Sequence, residues 1–306
     1  MQSINTVLVA LDLSGVDETL IDYIIQASQR TSIRKVYFLN VQKDLDLPDA
    51  ILRKYPDLLA PKDEQIEKII EDKISSSPYG KLNCEYELDV IEGNPTEKIL
   101  KWVKIKDVDL LIMGKKLSFE SSAVSSNKIA KLCPCSVFFI PEVMHEDPAE
   151  FIVPVDFSQP SKIALQQALL LRKQFPDLEI KCIHVYSVPS GYHTSGKSYD
   201  EFSEIMKENS EKEYRKFVGK LGKEASGVEC KFVLHESDNV ASQIFKYAIK
   251  EQASGIIIGS RGRTLAASII LGSVADKLIS INTHLPLFIA KEKNSNMNFF
   301  EALTDI

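Results

Sequence analysis

The sequence predicts an α/β chain made of two tandem domains, each a doubly wound, five-stranded parallel sheet. Three observations carry this. The chain has 306 residues, about twice the length of a single domain. Short apolar runs alternate with amphipathic stretches along all of it. The order of those runs also occurs twice. Val7-Leu8-Val9-Ala10-Leu11-Asp12-Leu13-Ser14 returns 144 residues later as Phe151-Ile152-Val153-Pro154-Val155-Asp156-Phe157-Ser158. Ile112-Met113-Gly114 returns after 145 residues as Ile257-Ile258-Gly259, and Val137-Phe138-Phe139-Ile140 after 150 as Leu287-Phe288-Ile289-Ala290. A repeat of this length is a duplicated domain. The boundary falls where Pro, His and acidic residues cluster, between Pro141 and Asp147. The expected domains are therefore 1–146 and 147–293, followed by a tail, 294–306.

The strands of the first domain are expected at 6–11, 35–41, 84–91, 108–113 and 136–140. Those of the second are expected at 151–155, 179–185, 229–235, 255–258 and 286–290. Most of these runs are nearly unbroken in Val, Ile, Leu and Phe, as strands covered on both faces should be. The third run differs: Cys84-Glu85-Tyr86-Glu87-Leu88-Asp89-Val90 alternates strictly, which predicts a half-exposed strand at a sheet edge. Helices fill the intervals. Asp17 is the expected cap of one that aligns Leu20, Ile24 and Ala27; Ser161 is the expected cap of one that aligns Ala164, Ala168 and Leu171. Segments 63–75 and 200–221 are charged and helical in period, and a further helix is expected over Ala275 to Ser280.

Composition narrows the function. The chain is 44% apolar and 26% charged with a net charge of −6, which argues against a nucleic-acid partner. The opening Met1-Gln2-Ser3-Ile4 lacks the charged and apolar regions of a signal peptide, and no apolar run is long enough to span a bilayer, so a cytoplasmic protein without a membrane partner is expected. The five cysteines read as reduced thiols, Cys133-Pro134-Cys135 lacking the spacing of a redox or zinc motif. No Ser/His/Asp order, HExxH or paired-carboxylate pattern supports hydrolysis. His184 reads as a hydrogen-bonded core residue, His193 as part of a solvated connector or lid, and Trp102 and Tyr86 as structural.

In open parallel sheets ligands bind beyond the carboxyl ends of the strands, where the strand order reverses. In the second half these ends read Pro154-Val155-Asp156 and Ile258-Gly259-Ser260-Arg261-Gly262-Arg263. Beyond nine intervening residues, 263–271, comes Gly272-Ser273-Val274, opening a helix. Gly259 and Gly262 allow positive φ and close approach of amides to an anion. Gly272-Ser273 offers the donors of a helix N-terminus to phosphate, and Arg261 and Arg263 supply charge. Asp156 suits an exocyclic amine or a ribose hydroxyl.

These residues resemble the universal stress protein family. The spacing Gly259-x-x-Gly262, nine residues, Gly272-Ser273 matches that family's nucleotide signature, and Pro154-x-Asp156 and His184-Val185 are similar to its strand ends. The likeness spans 3–142 and 149–292. It implies a Rossmann-like fold of the adenine nucleotide alpha hydrolase type, with strand order 3-2-1-4-5. It also implies ATP, or AMP or ADP, held at the carboxyl edge. By that resemblance Val155, Asp156 and Val185 surround adenine and ribose, with Pro154 beside them. Ile258, Gly259, Arg261, Gly262, Arg263, Gly272, Ser273 and Val274 then line the ribose and phosphates. No metal ligands are assigned, and whether magnesium joins the nucleotide stays open.

The first half departs from this pattern. Ala10 stands where the second half has Pro154, Lys115-Lys116-Leu117 follows Gly114, and the loop before the last strand is five residues shorter. That register sets Ser122 and Ala123 opposite Gly272 and Ser273. The two lysines read as exposed loop residues. Nucleotide is thus expected in the second domain only, with Gly262→Val abolishing binding and Gly114→Val leaving it unchanged. The second half lacks the Gly93-Asn94-Pro95 turn of the first, having Asp238-Asn239-Val240 instead. The expected role is a stress-response regulator or sensor. The alternatives are a slow ATPase and a module for interaction or another small ligand. The partners expected are an adenine nucleotide and the other domain of the same chain, in an intramolecular pseudo-dimer that leaves a homodimer open. In that pseudo-dimer the last strands of the two halves, Val137 to Ile140 and Leu287 to Ala290, are expected to pack or pair across a pseudo-twofold.

Overall fold

The computed structural model describes residues 4–43, 45, 62–115, 122–142, 149–235, 239–261 and 271–293, with the side chains of 122–125 excepted. It divides into two units, 1–144 and 145–306.

In the first unit, β1 (Thr6–Leu11) is flanked by β2 (Lys35–Gln42) and β4 (Leu110–Lys115). Outside these lie β3 (Glu85–Glu92), paired with β2, and β5 (Ser136–Pro141), paired with β4. All pairs are parallel, so the order is β3-β2-β1-β4-β5 and it reverses between β1 and β4. The helices are α1 (Val16–Arg30), α2 (Lys62–Ser75), α3 (Pro95–Ile105) and α4 (Ser122–Leu132). α1 packs against β4 and α2, and α3 packs against α4. Val7, Leu8 and Val9 are fully buried, as expected of a central strand with helices on both faces. β3 is half-exposed, with Glu85, Tyr86 and Glu87 open to solvent.

The second unit repeats this plan. β6 (Glu150–Pro154) lies between β7 (Glu179–Tyr186) and β9 (Gly255–Gly259). β8 (Glu229–Leu234) pairs with β7, and β10 (Leu287–Ala290) with β9. The helices are α5 (Gln159–Gln174), α6 (Tyr199–Gly219), α7 (Val240–Lys250) and α8 (Ser273–Ile281). Among the described residues no helix is long and apolar enough to cross a membrane.

The caps show why the helices begin where they do. Asn94 accepts from the amides of Thr96 and Glu97, and Pro95 opens α3. Asn239 accepts from Ala241 N at the same place in the second unit, so this duty survives the loss of the Gly-Asn-Pro turn. Ser198 and Glu201 form a reciprocal capping box on α6. Two expected caps move. α1 starts at Val16, and Asp17 lies inside its first turn, where its carboxylate bonds backward to the amides of Asp12 (3.1 Å) and Leu13 (2.9 Å). α5 is capped by Ser158, not Ser161.

Candidate functional site

The carboxyl edge of the second sheet is shaped first by a proline. Strand residues alternate in which neighbour they bond. The Glu150 carbonyl accepts from Ser254 N on the β9 side (2.7 Å), and Val155 N donates to Ile183 O on the β7 side (2.9 Å). Pro154 therefore turns its missing donor toward β9. The β6–β9 ladder holds two described pairs, Phe151 with Gly255 and Ile152 with Ile256. In the first unit the matching residue is Ala10, and the β1–β4 ladder runs on through the Ala10–Met113 pair. The hydrogen-bonded ladder thus ends earlier in the second unit, where the strand order reverses.

Past Pro154 the chain turns sharply. Val155 is buried, and Asp156 Oδ1 accepts from Ser158 N (3.1 Å) and Ser158 Oγ (2.5 Å), so part of its capacity is spent on the turn. Phe157 adopts φ +65°, the left-handed region that a bulky residue occupies only when its surroundings impose it. Those surroundings are visible. The Phe157 ring stacks on His184 with centroids 4.3 Å apart, and Phe217 lies at 5.7 Å. His184 Nδ1 is 2.7 Å from the Val155 carbonyl; since a carbonyl only accepts, Nδ1 carries the donated proton. Half-buried Val185 is the next residue on β7.

At the end of β9, Ile258 is buried. Gly259 does not adopt positive φ, contrary to expectation. It is a glycine because α5 begins against it: a Cβ there would lie 2.5 Å from the carbonyl carbon and oxygen of Pro160. Half-buried Arg261 follows, while Gly262 and Arg263 lie outside the described residues. The ends of this loop are tied, with Ser260 N donating to Ala290 O (3.1 Å) and Gly272 N to Ser260 O (2.8 Å). That bond sets the start of α8 beside the end of β9. α8 has no side-chain cap, and its first intrahelical bond runs from Asp276 N to Gly272 O. The amides of Ser273 and Val274 therefore lack an intrahelical acceptor, and Ser273 is exposed. His193 is exposed on a short turn, Tyr192–Ser195, in which Tyr192 packs near Tyr199 and Phe202. Asp238 lies outside the described residues.

The first unit keeps the frame with other parts. Leu13 takes the Phe157 place at φ +63°. Asn40 takes the His184 place, its Nδ2 donating to Leu11 O at 3.0 Å just as the imidazole serves Val155. A Cβ on Gly114 would meet Val16 Cγ1 at 2.7 Å, so Gly114→Val disturbs packing and is not a neutral control. Burial pushes the Asp17 carboxyl up to about 6, against the opposing backbone hydrogen bond from Asp12; the Asp12 carboxylate adds to the rise and Lys73 opposes it. Lys115 is not an exposed loop residue: it ends β4 and is 9% exposed. None of the five cysteines forms a disulfide, Cys133 and Cys135 Sγ lie 3.4 Å apart, and no group of three or more His, Cys, Asp or Glu among the described residues is placed to hold a metal. Sequence reasoning missed the Phe157–His184 stack; its only signal was an aromatic directly after Pro-x-Asp.

Comparison with known proteins agrees with this duplicated architecture. A universal stress protein of Methanocaldococcus jannaschii, MJ0531, is 32% identical over 145 residues, covering 47% of this chain and 82% of its own. A second from that organism, MJ0577, is 28% identical over 163 residues, covering 48% and 96%. Each therefore corresponds to about half of this chain. The crystal structure of a universal stress protein from Archaeoglobus fulgidus DSM 4304 superposes with a TM-score of 0.60 at 19% identity, covering 94% of this chain and 96% of that one. The profile of the Universal stress protein family matches residues 3–141 and, separately, 150–287. With one match over each α/β unit, the chain belongs to the universal stress protein family as a tandem pair.

Proposed function

We propose that the second unit binds an adenine nucleotide, ATP foremost, at the carboxyl edge of its sheet, and that the protein acts as a stress-response regulator whose state follows nucleotide occupancy. The observation that carries this reading is the Gly272–Ser260 tether, which presents the uncapped N-terminus of α8 beside the end of β9. Phosphate there meets backbone donors and the positive end of a helix dipole. The β6–β9 ladder stops short of Pro154, which leaves the strand ends unbonded to each other beside Asp156, and Val155, Val185 and Ile258 would supply an apolar wall for a base. The Gly-x-x-Gly spacing that ends at Gly272-Ser273 fits the same use. In the first unit the ladder is longer and the glycine spacing is absent, so one nucleotide per chain is expected.

Titration calorimetry with ATP tests this on the parent, Gly262→Val and Asp156→Ala. One site in the parent and a loss of about tenfold or more in Gly262→Val support it, since several phosphate hydrogen bonds at roughly 1.5–3 kcal/mol each are at stake. Two equivalent sites, or unchanged affinity in Gly262→Val, overturn it.

A further inference from the structure

We infer that the first unit holds a separate site for a compact oxyanion of the sulfate or phosphate kind, with the Lys115 side chain as its charge. This stands apart from the nucleotide reading, because it concerns the repeat that lacks the glycine loop. Lys115 is the last residue of β4, at the carboxyl edge and beside the reversal of strand order. It pairs with Pro141 on β5 and is more than nine-tenths buried. Its Nζ is shielded from solvent and has no hydrogen-bond partner. A Cβ on Gly114 would point at Val16 of α1, so strand alternation turns Lys115 toward the opposite face of the sheet.

A buried ammonium with no counter-charge is costly, and proteins resolve the cost by pairing it or by neutralising it. Here desolvation alone acts on the amine, lowering it to about 8, with no carboxylate contributing. At neutral pH the group is thus still mostly charged and lacks a partner. Two acids at the end of β1 and the start of α1 are otherwise placed. Asp12 is two residues past the Ala10–Met113 pair, exposed, and accepts from Ser14 N. Asp17 is held by the amides of Asp12 and Leu13. Ser14 Oγ, in the turn after β1, is a second buried polar atom without a partner at this edge, whereas its counterpart Ser158 Oγ donates to Asp156. The counterpart of Lys115 is Ser260, so the second repeat has no lysine at this position. A single small anion satisfies an ammonium of this kind.

Sulfate is the probe, since its charge is constant across the working pH. Thermal unfolding and calorimetry in Gly262→Val, which silences the second unit's loop, are compared with Gly262→Val/Lys115→Met at matched ionic strength in chloride. The expected result is sulfate-dependent stabilisation in the first and an affinity at least about tenfold weaker in the second. Without sulfate, Lys115→Met should be as stable as its parent or more so, because it removes an uncompensated charge. Should that variant fail to fold, the parent labelled with 13C-lysine supplies the answer: one lysine Cε signal should move with sulfate and not with chloride. An equal sulfate response in both proteins, or no lysine signal that moves, overturns the site. Neither outcome depends on whether ATP binds the second unit.

Discussion

Gly259 lies within a glycine spacing that invites a ligand explanation, and Gly259→Ala separates that explanation from packing. The added Cβ would sit 2.5 Å from Pro160 C and O and 2.9 Å from Pro160 Cβ. Ordinary carbon contacts are about 3.5–4.0 Å, so the first turn of α5 must retreat by roughly 1 Å. The obstacle is backbone next to a proline, anchored by the Ser158 cap, so it cannot rotate aside. Overpacking costs about 1–3 kcal/mol, and a backbone obstacle places this case near 2–3 kcal/mol. At Gly114 the obstacle is the Val16 side chain, Cγ1 at 2.7 Å and Cβ at 3.3 Å, so Gly114→Ala should cost about 1 kcal/mol. Urea unfolding resolves the two. The single tryptophan, Trp102, lies in α3, so its fluorescence follows the first unit while far-UV circular dichroism follows both. Gly259→Ala should leave the fluorescence midpoint in place and lower the other transition by roughly 1–2 M, taking a slope near 1.5–2 kcal/mol/M. A Gly259→Ala protein that unfolds like its parent yet no longer binds nucleotide would refute the packing argument.

Other expectations follow from the same edge. Because Asn40 already does in the first unit what His184 does in the second, His184→Asn should cost only about 1 kcal/mol, mostly the lost ring stack, whereas His184→Leu should cost about 2–3 kcal/mol; equal losses in denaturant unfolding would contradict the equivalence. Asp17 carries a folded-state value of about 6, above the roughly 3.9 of an unfolded chain, so its contribution is greatest below pH 4 and is lost as pH rises through 6. The stability of the parent minus that of Asp17→Asn should therefore fall by up to about 3 kcal/mol between pH 4 and 7, and a pH-independent gap would count against it. Pro154→Ala restores a donor facing β9, and one added ladder bond, about 0.5–1.5 kcal/mol, should draw the strands together and weaken ATP binding by up to roughly tenfold in calorimetry. Unchanged affinity would show that the proline does not set the opening.

The strands, their order and the duplication were legible because they rest on long apolar periodicities and a repeat of many residues. β3 was legible as an outer strand from its alternation alone. Local polar geometry was not. Asp17 looks like a cap by position, but its carboxylate turns back to the amides of Asp12 and Leu13, a choice decided by the loop in three dimensions. Lys115 reads as loop because it is followed by another lysine, yet β4 runs one residue past Gly114 to pair with Pro141. For Gly259, sequence spacing suggested an anion and the neighbouring helix gave a different reason. Such distinctions depend on what stands opposite a residue, which one chain of letters does not display. Of the candidate site, the residues on β6, β7, β9 and α8 lie at the carboxyl edge of the second sheet, whereas Gly262 and Arg263 lie outside the described residues.

The contrast between Pro154 and Ala10 has a genetic consequence. In an assembly of identical single-repeat chains, one codon governs every copy of a position, so an opening made at one site is made at all of them. Joining two repeats in one reading frame removes that constraint. A proline can interrupt one ladder while alanine continues the other, and a lysine can enter one crevice without appearing in its twin. Each half is then free to change the chemistry of its own edge without altering the other, within a single gene product.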